Sequence, residues 1–149
     1  MSRQQDLRRI EDAIVRIQRI SLGREAARRR SERAGVSVGR PAVSILGELH
    51  RHGRQRLSDL SRHTGLEAPL VSREVRALVN DGYVTRVADP GDGRAAIVEM
   101  TELGATTYLK YRKAVDDIIA ETFKGWGLDE LELLADGLER VARDFAAFG

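Results

Sequence analysis

LSDLSRHTGLEAPLVSREVRALVNDGYVTRVADPGDGRAAIVEMT, residues 57–101, reads as two short helices, a strand, a glycine-rich turn and a second strand. Ser58 suits the N-cap of a first helix that ends near Gly65. A second helix starts at about Ala68, with Pro69 in its first turn, where a missing N–H costs nothing. Its spacing turns Val71, Val75 and Leu78, and then Tyr83, one way, and Ser72, Arg73 and Arg76 the other. After Gly82 come Tyr83 to Val87, the turn Asp89-Pro90-Gly91-Asp92-Gly93-Arg94, and Ala95 to Met100. Helix, turn, helix and β-hairpin in that order predict a winged helix-turn-helix, mainly α with a small β-hairpin wing. A polar helix face beside a basic hairpin tip suits a groove flanked by phosphates.

Outward from this core, periodicity predicts flanking helices. From Asp6 to about Arg30, Leu7, Ile10, Ile14 and Ile17 fall at 3-4-3 spacing with Ile20 close to the same stripe. The run Arg28 to Gly35 reads as a fraying end and linker. A helix from near Gly39, with Pro41 in its first turn, buries Ala42, Ile45, Leu46 and Leu49 and stops around His50 to Gly53. Thr101 can cap a long helix to about Lys124 whose apolar face carries Leu103, Tyr108, Tyr111, Val115, Ile118, Ile119 and Phe123. Gly125-Trp126-Gly127 breaks it, and Asp129 with Glu132 resembles a capping box for a last helix bearing Leu131, Leu134, Leu138, Val141, Ala142, Phe145 and Phe148. The expected organisation is an N-terminal dimerisation helix and linker (1–35), a DNA-binding winged helix (36–101) and C-terminal dimerisation helices (102–149) in one continuous protomer. Two unpaired apolar stripes at the ends of a chain of 149 residues predict a homodimer, because a monomer would leave both half exposed.

The net charge of +2 hides an asymmetry. Residues 1–100 hold 19 Arg against 13 Asp/Glu, a net of +6; residues 101–149 hold 6 Lys/Arg against 10 Asp/Glu, a net of −4. The positive part coincides with the winged helix, as a phosphate-facing surface requires. There is no cysteine, which excludes disulfides, thiolate metal sites and thiol redox sensing. No apolar run is long enough for a bilayer and the start lacks a signal-peptide pattern, so a cytoplasmic protein without a membrane partner is expected.

The residues expected to touch DNA are Ser58, Ala68, Pro69, Ser72, Arg73, Arg76, Arg86, Asp92 and Arg94, with Asn80 a further outward position. Arginine can donate two parallel bonds to guanine O6 and N7, and Ser72 can reach a phosphate or a base edge. Of Arg73 and Arg76, one is assigned to bases and one to phosphate, unless they pair with Glu74 or Asp81 on the surface. Glu67, at the helix start, either complements the helix dipole or accepts from a cytosine amino group. At the wing, Gly93 is placed at the apex, and Asp92 pairs with Arg94 or with Arg86 on the neighbouring strand. Arg94 on a narrow hairpin can enter the minor groove.

Asp92-x-Arg94, followed five residues later by Met100-Thr101-Glu102-x-Gly104, resembles the wing signature of the MarR family of bacterial transcriptional regulators. Leu57-Ser58-Asp59-Leu60, Thr64-Gly65, Val71-Ser72-Arg73-x-Val75-x-x-Leu78 and Gly82-Tyr83-Val84 resemble its helix-turn-helix. The resemblance implies an obligate homodimer that binds a palindromic operator and usually represses. It also implies that Arg94 is the minor-groove arginine and Asp92 the residue that orients the wing. Many family members are released by a small aromatic effector, for which Arg16, His50, Tyr108 and Tyr111 are the candidates by position. Gly93 and Ala95 flank Arg94 where the family often has a second basic residue, and Ala68-Pro69-Leu70 is a lean start for a reader helix, so shape readout should outweigh base readout.

No cofactor is expected, and no metal site, since His50 and His52 point about 200° apart on a helix. No Ser/His/Asp set or phosphate-cradling glycine motif suggests an enzyme. The competing readings are a nonspecific architectural DNA binder and a winged-helix module that binds protein.

Overall fold

Glycines with left-handed backbone punctuate the chain, and the elements between them follow from their apolar spacing. A computed structural model describes residues 1–148. The element order is α1 (Arg3–Leu22), α2 (Arg24–Ala34), α3 (Arg40–His52), β1 (Gln55–Arg56), α4 (Leu57–Thr64), α5 (Ala68–Asn80), β2 (Val84–Asp89), β3 (Asp92–Met100), α6 (Glu102–Thr122) and α7 (Leu128–Ala146). Chain contacts divide these residues into two compact units, the first ending at 114 and the second beginning at 115.

In the first unit, α3, α4 and α5 meet the sheet over one core. Ile45, Leu46, Leu60, Val71, Val75, Leu78, Val84 and Val98 are all but sealed from solvent, with Ala42, Leu49 and Tyr108 at its margin. The buried apolar side chains of α3 and α5 are those that the 3-4 spacing predicts, while α3 also buries Gly47 and Glu48, which it does not. Burial of such aliphatic side chains contributes about 1.5–3 kcal/mol each and fixes how the three helices seat against the sheet.

The sheet has three antiparallel strands in the order β1-β3-β2, so the long wing strand β3 is central. Gln55 and Arg56 pair with Val98 and Ile97, which makes β1 a third strand that the sequence reading does not anticipate. Two residues are too short to show a period of two. The wing turn lies at Pro90-Gly91, and Gly93 falls inside β3 rather than at the apex.

Helix boundaries differ from the sequence reading in four places, each for a local reason. The N-terminal helix begins at Arg3 because Ser2 and Gln5 form a reciprocal capping box, and it stops at Gly23 rather than running to Arg30. At Gly23 the chain turns to an extended conformation (ψ 153°). The run Arg28 to Gly35 is the end of α2, not a frayed linker: Arg28 pairs with Glu25 and Glu32, Arg29 with Glu25, and left-handed Gly35 closes the helix. The first helix of the reader motif is capped at Arg56, with Ser58 already inside the first turn. For α7 the cap is Gly127, whose N–H donates to Glu130 at 2.8 Å; Asp129 and Glu132 do not form the box.

In the second unit, α7 buries none of its residues. Leu131, Leu134 and Val141 are half-buried, while Leu133, Leu138 and Phe145 stand exposed. Residues 102–114 of α6 bury Gly104, Thr107, Tyr108, Tyr111 and Ala114, whereas Leu103 and Ile119, which the stripe places on the buried face, are exposed.

Candidate nucleic-acid interface

The turn between α4 and α5 is held by side chains. Ser61 Oγ donates to the Leu66 carbonyl at 2.6 Å, and Thr64 Oγ1 accepts from the Leu66 N–H at 3.3 Å. Gly65 takes φ 72°, a region that L side chains rarely adopt. This fixes α5 by its inner face, Val71, Val75 and Leu78, and leaves the outer face to solvent. Ser72 is half-buried there, and Arg73, Arg76, Ala68, Pro69 and Asn80 are exposed. Among the described residues no hydrogen bond or ion pair engages Arg73 or Arg76. The surface pairs with Glu74 or Asp81 that the sequence allows are therefore not made. Glu67 is the N-cap of α5 but makes no capping bond.

The wing is built on a different logic from the one its sequence suggests. Asp92 pairs with neither the Arg94 nor the Arg86 guanidinium; its Oδ1 accepts from the backbone N–H of Arg94 at 3.0 Å. That bond shapes the strand start and leaves the Arg94 side chain exposed and unengaged among the described residues. Arg86, opposite Val98, is likewise exposed. The carboxylate that does hold a cation is Asp89, which pairs with Arg56 and accepts from the Gly91 N–H at 2.9 Å. The Gly91 amide and the Arg56 and Arg54 guanidiniums hold the Asp89 carboxyl below the ordinary aspartate range, against the opposing effect of desolvation. Sequence reasoning misses this pair because its members are 33 positions apart and one lies in the two-residue strand.

The effector candidates are dispersed over unit 1. His50 and Tyr108 meet with ring centroids 5.0 Å apart, Tyr111 is buried on α6, and Arg16 is exposed on α1. A cleft of about 620 Å³ opens elsewhere, between the end of α3, β1 and α4, with His52, His63 and Arg54 around the buried Glu48. His63 Nδ1 lies 3.4 Å and His52 Nε2 3.9 Å from Glu48 Oε1. Among the described residues no group of His, Cys, Asp and Glu has the geometry to hold a metal ion, and no helix is long and apolar enough to cross a membrane.

A helix-turn-helix with free arginines on its second helix, followed by a hairpin with an exposed arginine near its tip, is the frame of a DNA reader. The family model described as MarR family matches residues 36–95, the span from the approach to α3 through the wing turn. This winged helix is similar to that of the MarR family. The chain is 25% identical over 115 residues to an uncharacterized HTH-type transcriptional regulator, YxaD, of Bacillus subtilis, covering 77% of this chain and 80% of that one. It is 26% identical over 106 residues to the HTH-type transcriptional repressor IacR of Pseudomonas putida, covering 71% of this chain and 64% of that one. In fold it is similar to a MarR family protein from Bacillus stearothermophilus, with a TM-score of 0.83, 14% identity and coverage of 98% and 99%. The chain thus resembles transcription regulators of MarR type over its reader segment and shares their winged-helix architecture.

Proposed function

We propose that the chain acts as a homodimer that recognises a palindromic operator and represses transcription from it. The single observation that carries this reading is the set of arginines unpaired among the described residues, Arg73 and Arg76 on α5 and Arg94 on the wing, all exposed on elements whose backbones are fixed from behind. Arg94 reaches the minor groove, Asp92 shapes the strand that presents it, and Ser58, Ala68, Pro69, Ser72 and Arg86 complete the DNA contact. The repressor sense is supported by the similarity to a protein named as a repressor.

The dimer is supported by two unpartnered apolar faces. On α1, Leu7, Ile10, Ile17 and Ile20 are at least half exposed, and on α7 Leu133, Leu138 and Phe145 are too. Such faces gain most by burial against a second copy. In this reading residues 1–35 and 102–149 are the dimerisation segments and residues 36–101 the reader. Two readers would then sit roughly 34 Å apart, one turn of DNA. A small aromatic molecule that favours another spacing would release the operator, with the ring pair His50 and Tyr108 as its first candidate contacts, and Tyr111 and Arg16 beyond them. A hundredfold release requires about 2.7 kcal/mol of coupling.

The test is a fluorescence-anisotropy titration of the DNA upstream of the chain's own gene against a scrambled duplex, at two salt concentrations. Tight, salt-steep binding to the upstream DNA over the scramble supports the reading. Equal binding to both duplexes points instead to an architectural DNA binder, and absence of binding at low salt to a protein partner.

A further inference from the structure

Arg56 and Asp89 lie on opposite edges of the sheet. Arg56 pairs with Ile97 of β3 from one side, and Val87, two residues before Asp89, pairs with the same Ile97 from the other. Two strand spacings separate β1 from β2, roughly 9–10 Å, so the Arg56 side chain must extend past the central strand to reach its partner. Arg56 is also the N-cap residue of α4 and makes no side-chain capping bond there. Its guanidinium is spent on the wing instead of on its own helix.

At the other end, Asp89 is the last residue of β2, with only 8% of its surface exposed although it borders an open turn. The pairing register slips between Ala88 and Asp89, which pairs with Asp92 beyond the irregularity, so the ladder is interrupted just before the turn. The carboxylate adds a side-chain hold there, through the Gly91 N–H and through Arg56. Five residues on, Arg94 stands exposed without a partner of its own among the described residues.

We infer that the Arg56–Asp89 ion pair is a positioning clamp that ties the wing turn to the first helix of the reader motif and so sets where Arg94 meets DNA. The pair touches no DNA itself; it acts through Arg94. A wing that is free to swing must be ordered on binding, and a preordered one avoids that loss. The inference rests on the proposed role of Arg94 in DNA binding and adds two residues that the family's Asp-x-Arg signature leaves out.

The test uses the full chain and three substitutions. Asp89→Asn is isosteric and can still accept from the Gly91 N–H, so it removes the charge while leaving the turn bond; Arg56→Gln removes the partner. Hydrogen exchange of the Gly91–Arg94 amides in the DNA-free protein reads the clamp directly, and either substitution should accelerate it. Operator affinity is then measured for Asp89→Asn with Arg94 present and in an Arg94→Ala background. A loss of about tenfold with Arg94 present, shrinking to less than about twofold without it, is the coupling expected of residues acting through one another. Equal losses in both backgrounds, or no loss in either, overturn the proposal. Unchanged amide exchange with operator binding intact overturns the clamp while leaving the DNA reading standing. Failure of the wild-type chain to bind the operator defeats both, even where exchange accelerates.

Discussion

The Cα of Gly104 lies against the carbonyl of Tyr83: a Cβ built on Gly104 would run into that oxygen, leaving no room for a side chain. Gly104 sits in the first turn of α6, and Tyr83 leads into the wing strand β2. Contact of backbone with backbone is what seats the start of α6 on the wing. Gly104→Ala should therefore destabilise unit 1 by about 3 kcal/mol or more, at or beyond the usual range for overpacking, because the obstacle is main chain and cannot rotate away. Urea unfolding followed by far-UV circular dichroism would measure it. An unfolding midpoint equal to that of wild type would show that the two segments are not locked together.

Thr101 fastens the same junction by a second route. Its hydroxyl donates to the Gly82 carbonyl at 2.6 Å and accepts from the Gly104 N–H at 3.1 Å, and its own N–H donates to the Tyr83 carbonyl at 3.0 Å. Thr101→Val keeps the shape and the backbone bond but loses both hydroxyl bonds. A cost of about 1–2 kcal/mol is expected, that of a lost N-cap with a hydrogen bond added. Thr101→Ser should recover most of it in the same unfolding assay.

How much of this was legible in the sequence depends on the range of the interaction. The buried faces of α3 and α5, the place of Pro69, the cap at Thr101 and the helix-turn-helix order all follow from spacing within one or two turns, and the structure has them where spacing puts them. Ends decided by competition between neighbours came out differently: Glu130 serves Gly127 although Asp129 and Glu132 also offer the right chemistry. The break at Gly23 interrupts a stripe that the apolar period alone would continue. At the wing, Asp92 was legible as the residue that shapes the loop, but not its partner, which is a backbone amide rather than a guanidinium. The Arg56–Asp89 pair joins residues with no local signature, and only the three-stranded topology brings them together.

Asp89 gives the wing an acid dependence whose sign is fixed. Its carboxyl titrates below the ordinary aspartate value because the Gly91 N–H and the Arg56 guanidinium favour the ionised form. The stabilisation is therefore complete above the unfolded-state value and is lost as pH falls through the lower folded-state value. Exchange protection at Gly91–Arg94, corrected for intrinsic rates, should hold from neutral pH down to the aspartate range and decline only below it. In Asp89→Asn that acid step should vanish; its persistence would assign the step to another carboxylate.

The apolar faces of α1 and α7 make separable predictions. Ile17→Lys on α1 and Leu133→Lys on α7 alter side chains 57% and 75% exposed in the protomer, so neither disturbs the protomer's own core. If a second copy covers these faces, each substitution buries a charge in the interface and should shift the species seen by sedimentation velocity from dimer toward monomer. Wild-type sedimentation as a monomer at high concentration would remove the dimer from the proposal.

Arg73 and Arg76 should separate base contact from phosphate contact. Both are exposed on α5 and unengaged among the described residues, three residues apart, which sets them on one face of the helix at different depths along a groove. Replacing an arginine that grips a guanine edge costs about 1–3 kcal/mol on the cognate duplex and relaxes preference at that base pair. Replacing one that meets phosphate weakens all duplexes alike and lowers the salt slope by about 1. Alanine at each position, titrated against the operator and a panel of single-base variants at two salt concentrations, should give one profile of each kind. Arg94→Ala at the wing should resemble the phosphate profile, with the added mark that its loss is greatest where the flanking minor groove is A·T-rich and narrow. If both α5 variants behave as phosphate contacts, the helix reads shape rather than bases, as the short side chains of Ala68 and Pro69 at its start already favour.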